Sequence, residues 1–173
     1  FEKAHEHPMG AKELYGFADH VPETEEYGVA SFVYRARAPF DPQMVFEVLN
    51  SALPGVIRAK GHFWVATRPD WVAEFSLAGA LSSVKPLGTW WASVPRDRWP
   101  DHAGARSYMQ AHWTEPFGDR RQELVFIGAG IDWPALTARL DACLLDAVDV
   151  ADLGRFQNLA DPFPRWRNAG EAA

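Results

Sequence analysis

The hydrophobic positions change period along the chain, and each change predicts an element. From 27 to 38 the residues alternate: Ala30, Phe32, Tyr34 and Ala36 share one side, Ser31, Arg35 and Arg37 the other, as in a half-buried strand. At Asp41-Pro42 the period lengthens. Asp41 is placed to cap a helix, the proline sits in its first turn, and Val45, Val48, Leu49 and Ala52 form its buried stripe before Pro54-Gly55 ends it. A second strand runs over 56–67. Two more follow over 71–78 and 81–95, with Gly79 turning between them. Within the last of these, Trp90-Trp91 would place one ring on each side of the sheet.

The stretch 96–119 is irregular and polar, with a short helix expected over 105–112. Next comes Gly118-Asp119-Arg120-Arg121-Gln122-Glu123-Leu124-Val125-Phe126-Ile127-Gly128, a charged lead-in, an apolar run and a closing glycine. It reads as the fifth strand. The last helix is capped by Asp132, has Pro134 in its first turn and buries Leu136, Leu140, Cys143 and Leu144. The order predicts an α+β fold, a mostly antiparallel β-sheet with helices packed on one face. Residues 1–26 read as an acidic arm with a possible short helix over 12–17, residues 27–146 as the folded domain, and residues 147–173 as a tail that packs through Phe156 and Trp166 and then frays.

Composition narrows this picture. The 173 residues suit one domain with extensions, and eight Trp and eleven Phe supply ample surface to bury. No stretch is apolar for long enough to span a membrane, and the charged start has no signal-peptide pattern. The start also lacks a methionine, so the chain is read as a piece of a longer protein. A lone cysteine, Cys143, makes no internal disulfide and fits a reducing, cytoplasmic setting. On the apolar side of the last helix it is expected to be a buried, inert thiol. The net charge of −6 is concentrated in residues 1–26, which carry seven acids and two bases. An acidic arm and a balanced body argue against nucleic acid as the main partner.

Three stretches resemble, in order, the CobW C-terminal domain family, the module that follows the GTPase domain in CobW-type GTP-dependent metal chaperones. They are the 118–128 run, the stretch from Leu53 to Ala66 (Leu-Pro-Gly-Val-Ile-Arg-Ala-Lys-Gly-His-Phe-Trp-Val-Ala), and the stretch from His20 to Arg37. The resemblance implies a parent that binds GTP and a divalent metal, zinc or cobalt, and serves zinc homeostasis, cobalamin synthesis or metalloenzyme maturation. It implies that this domain contacts the GTPase domain, a client metalloprotein or a second protomer. A phosphate-cradling Gly-x-x-x-x-Gly-Lys-[Ser/Thr] loop is absent, and one cysteine cannot make the family's Cys-x-Cys-Cys motif. In the family both belong to the GTPase domain, so no GTP hydrolysis and no catalytic residue are expected of this chain.

The residues offer two binding readings. His5-Glu6-His7, joined by His20, has ligand types that suit Zn²⁺ or Co²⁺; the alternative is a solvated arm. Arg58, Lys60 and His62 alternate along one strand face, with Gly61 a place for a bulge that re-aims His62. They form either a basic strip that meets the GTPase domain or a partner, or an ordinary solvent face; lining a deep pocket, they would instead indicate an unrelated small-molecule site. Arg121 and Glu123 share a face and are expected to pair on the surface at small gain. His102 and His112 are expected at the surface or its boundary.

Overall fold

The computed structural model describes residues 28–167. Five antiparallel strands form one sheet, in the order β1-β5-β2-β3-β4. They are β1 (Ala30–Ala36), β2 (Val56–Phe63), β3 (Trp71–Ala78), β4 (Leu81–Thr89) and β5 (Gln122–Gly128). Among the described residues three α-helices accompany them: α1 (Pro42–Leu49), α2 (Ala103–His112) and, after the last strand, α3 (Trp133–Asp141). This is the α+β architecture expected from the order of patterns.

The caps act as the sequence predicts. Asp41 accepts the Met44 N–H at 3.1 Å and Asp132 accepts the Ala135 N–H at 3.0 Å, each satisfying a donor that has no partner within its helix. Helix α1 ends earlier than its expected stripe, because Asn50 caps it with its backbone and side-chain N–H on Phe46 O. Ala52 is therefore exposed. Leu136 and Leu140 of α3 pack with Val45 and Leu49 of α1 on Ala59, Phe63, Leu124 and Phe126 of the sheet. Cys143 joins this core from the turn after α3, and burial pushes its thiol up to about 11, which keeps it protonated at pH 7.

Strand β4 stops at Thr89 rather than reaching residue 95. Asp119 causes the stop: its carboxylate accepts the Trp91 N–H at 3.0 Å and the Ala92 N–H at 2.8 Å, holding the chain in a 3₁₀ turn. Trp90 and Trp91 thus lie beyond the strand. Trp90 enters a second core with Trp64, Val72, Tyr108, Phe117, Leu153 and Phe156. The segment after α3 closes over this core through Phe156, while Trp166 joins the first. Arg68 fastens it: its guanidinium grips the Asp161 carboxylate at 2.8 and 2.9 Å and lies 4.3 Å from the Trp166 ring centre. Burial alone would raise the Asp161 carboxyl, but Arg68 and the Thr67 hydroxyl hold it below its ordinary value.

Candidate functional site

Side chains alternate along β5, so Leu124 and Phe126 face α1 and α3 while Glu123 faces the other way, as does Arg121 just before the strand. Tyr108 of α2 reaches this second side. Its hydroxyl donates to Asp119 Oδ2 at 3.1 Å and accepts from Arg121 Nη1 at 3.0 Å. The same Arg121 nitrogen donates to the Asp119 carbonyl at 3.0 Å. The Arg121 Nε lies 3.8 Å from Glu123 Oε2, which accepts from Arg35 Nε of β1 at 3.2 Å. Arg37, just beyond β1, donates to the carbonyls of His112 and Gly118 at 2.7 and 3.0 Å.

His62 pairs with Glu123 across β2 and β5, and its Nε2 comes within 4.0 Å of Glu123 Oε1. Its ring meets the edge of Trp90 at 5.8 Å. Burial, followed by the neighbouring Arg121 charge, holds His62 well below the usual histidine range. It is neutral at pH 7, so the approach to Glu123 is not an ion pair. The His112 ring packs tilted against Tyr108, with centroids 4.7 Å apart, and burial followed by the Arg121 charge lowers it to about 4. Burial also raises Tyr108 and lowers Arg37 from their ordinary values.

A cleft of about 380 Å³ opens here, with Arg35, Arg37, His112, Arg121 and Glu123 among its walls. Arg35 stands at its mouth with its side chain 57% exposed, whereas Arg121 and Glu123 are 3% and 4% exposed. Three buried polar atoms of the lining residues have no hydrogen-bond partner: Arg121 Nε and Nη2 and Glu123 Oε1. Neither does His62 Nε2, which lies behind Glu123 and does not line the cleft. The group can hold an anion, exchange hydrogen bonds and stay uncharged at its histidines. Among the described residues, no three His, Cys, Asp or Glu side chains are grouped to hold a metal ion.

The structure divides the residues expected from the sequence. It brings His62, Arg121 and Glu123 together. Arg58 and Lys60 stay exposed on the open sheet face, opposite Ile127 and Val125 of β5. The basic strip is therefore broken, because Trp90 covers the His62 end, and the pocket is not lined by Arg58 or Lys60. No bulge forms at Gly61; the register shift lies between Val56 and Arg58. Arg121 and Glu123 are not a surface pair, since α2 and Arg35 enclose them. For a buried pair, losing one partner strands the other charge and costs far more than a surface pair is worth. His102 is exposed and caps α2 through its Nδ1, which accepts the Ala105 N–H at 3.1 Å. His5, His7 and His20, like the short helix over 12–17, lie outside the described residues. Sequence reasoning did not single out Tyr108, Asp119 or Arg37; the only hint was a polar run leading into a strand.

These histidines make stability pH-dependent. An unfolded histidine titrates near 6.5, while His62 stays well below that value and His112 reaches only about 4 when folded. Above about pH 6.5 both states are neutral and stability is complete. As pH falls toward 4, the unfolded chain takes up protons that the folded chain refuses, so stability drops. Urea unfolding at pH 7.5 and 5.0 should show this loss. His112→Phe keeps a ring against Tyr108 and should shrink it; an unchanged pH difference in that variant would remove His112 from the account.

Residues 29–144 match the family described as the cobalamin synthesis protein cobW C-terminal domain. The chain belongs to that family. It is 40% identical to the zinc-regulated GTPase metalloprotein activator 1 of Dictyostelium discoideum, over 84% of this chain and 31% of that protein. It is 32% identical to a zinc chaperone of Mycobacterium tuberculosis, over 81% of this chain and 35% of that protein. The chain thus spans about a third of the length of the curated relatives it matches. Among solved structures, the Zn(II)-bound YjiA GTPase from E. coli aligns with 68% of this chain and 30% of that one, with TM-score 0.48 and 18% identity. That likeness is too distant to bear on the chemistry of the CobW C-terminal domain described above. Among the described residues no helix is long and apolar enough to cross a membrane.

Proposed function

We propose that this chain is the C-terminal interaction and regulatory domain of a cytoplasmic CobW-like GTP-dependent metallochaperone. Family membership, together with relatives whose names specify zinc and a GTPase, carries this reading. Zinc is the favoured cargo; cobalt delivery, cobalamin synthesis and metalloenzyme maturation are the family's other roles. Residues 1–26 would lead from the GTPase domain into the folded body at 27–146, with 147–173 as its closing tail. The domain has no catalytic residue of its own. It works by contact, with the GTPase domain of its own chain, a second protomer or a client metalloprotein, and the open sheet face bearing Arg58 and Lys60 is the surface for it.

Coupling requires that the contact differ in free energy between nucleotide states. The test is the affinity of this chain for its parent's GTPase domain, loaded with GTP or with GDP. A difference between the two states, reduced by Arg58→Glu with Lys60→Glu, is the expected result. Equal affinities would reject regulation by nucleotide. A parallel Zn²⁺ and Co²⁺ titration, with and without residues 1–26, separates this reading from a metal-binding arm. Tight stoichiometric binding that is lost with the arm would assign the metal to His5, His7 and His20 instead.

A further inference from the structure

We infer that the cleft between β1, β5 and the end of α2 binds a small carboxylate that carries an N–H donor beside its carboxyl group. This goes beyond the contact role above, since it depends on neither nucleotide nor GTPase domain, and either can fail alone.

The inference starts from what is left unpaired. Arg121 commits Nη1 to Tyr108 and the Asp119 carbonyl, leaving Nε and Nη2 buried without hydrogen bonds, Nε facing Glu123 Oε2 only at 3.8 Å. Those two nitrogens form one edge of the guanidinium, and their parallel N–H groups match the two oxygens of a carboxylate. Beside that edge, Glu123 Oε1 is a buried acceptor without a donor. One guanidinium edge and one carboxylate oxygen, side by side, ask for a ligand that accepts twice and donates once.

Charge agrees with this. Arg35, Arg37 and Arg121 face the cleft against the single carboxylate of Glu123. His112, lowered to about 4, adds no charge at pH 7. The field therefore favours an anion. Phosphate fits less well: near pH 7 it keeps a P–OH donor, but it brings more charge and more oxygens against Glu123 than a carboxylate does. An N-acylated amino acid supplies both groups on either side of one Cα, and its size suits a cleft of about 380 Å³.

The probes are N-acetylglycine, acetate and inorganic phosphate at constant ionic strength, titrated into the whole chain with ¹⁵N detection of arginine Nε–H signals. N-acetylglycine should saturably shift the Arg121 signal and bind roughly tenfold more tightly than acetate, since a site built to pair a donor rejects a ligand lacking it, and more tightly than phosphate, whose further oxygens oppose Glu123. Arg121→Lys keeps the charge but loses the flat edge, and should abolish binding. Arg35→Gln removes the charge at the mouth and puts an amide donor in place of the Arg35 Nε that bonds Glu123 Oε2; once a thermal melt shows that it folds, it should weaken binding severalfold, which serves if Arg121→Lys does not fold. Absence of saturable binding overturns the inference. So does equal affinity for acetate or phosphate, and so does unchanged binding in Arg35→Gln.

Discussion

Gly61→Ala should unfold this domain far more readily than any surface substitution. The added Cβ would sit 2.1 Å from the Glu123 carbonyl oxygen and 2.8 Å from Leu124 Cα, both backbone atoms of the neighbouring central strand. A flexible side chain could swing aside; a strand paired on both edges cannot. Overpacking a well-fitted interior costs about 1–3 kcal/mol, and a backbone obstacle puts this case at or above the upper end. With about 2–4 °C lost per kcal/mol for a domain of this size, Tm should fall on the order of 10 °C. Gly79→Ala is the control. It lies in the β3–β4 turn at φ +60° with nothing within 4 Å of the added atom. Its cost should be only the left-handed backbone penalty, about 1–2 kcal/mol. If thermal melts place Gly61→Ala no lower than Gly79→Ala, the close approach of β2 and β5 is not what selects glycine.

That glycine shows where the amino-acid pattern stops informing. Local signals were readable: Asp41-Pro42 and Asp132 with Pro134 start helices where expected, and Gly79 turns a hairpin, because each acts on its own neighbours. The polar lead-in to β5 was not readable. Asp119, Arg120, Arg121, Gln122 and Glu123 are all buried, and each shares at least one hydrogen bond with a distant segment. Asp119 holds the Trp91 turn, Arg120 donates to the Pro69 carbonyl, Arg121 meets Tyr108, Gln122 meets Trp64 and Glu123 meets Arg35. Charge implies exposure only when no partner is at hand. A single chain does not reveal which remote residue will supply one. His62 failed for the same reason: alternation put it on the correct face, but Trp90 arrives from beyond β4 to cover it. The likeness to the CobW C-terminal family marked this strand as a signature without saying what its side chains touch.

Gln122 is the most consequential of that run, and Gln122→Leu should show it. The side chain is fully buried. Its Oε1 accepts the Trp64 N–H at 2.9 Å, and its Nε2 donates to the Ala38 and Trp64 carbonyls, each at 2.9 Å. One amide therefore joins the start of β5 to the chain leaving β1 and the chain leaving β2. Leucine has a similar volume, so the loss is of hydrogen bonds rather than of packing. The Trp64 carbonyl keeps the Phe40 N–H, but the Trp64 N–H loses the acceptor that Gln122 supplies. At about 1–3 kcal/mol for each buried group left unsatisfied, Gln122→Leu should cost about 2–5 kcal/mol in urea unfolding. Gln122→Glu should cost more at pH 7, because a carboxylate oxygen then replaces the amide N–H₂ against two carbonyl oxygens. Burial and those carbonyls favour its protonated form, so its folded pKa lies above the unfolded value near 4.3. As pH rises through that value the unfolded state releases its proton first, and the variant loses stability. Relative to the unsubstituted chain, Gln122→Glu should thus recover between pH 7 and pH 5, whereas Gln122→Leu should show no such recovery. A Gln122→Leu variant within about 0.5 kcal/mol of the unsubstituted chain, the range of surface changes, would deny the amide its role as the clamp beneath the cleft.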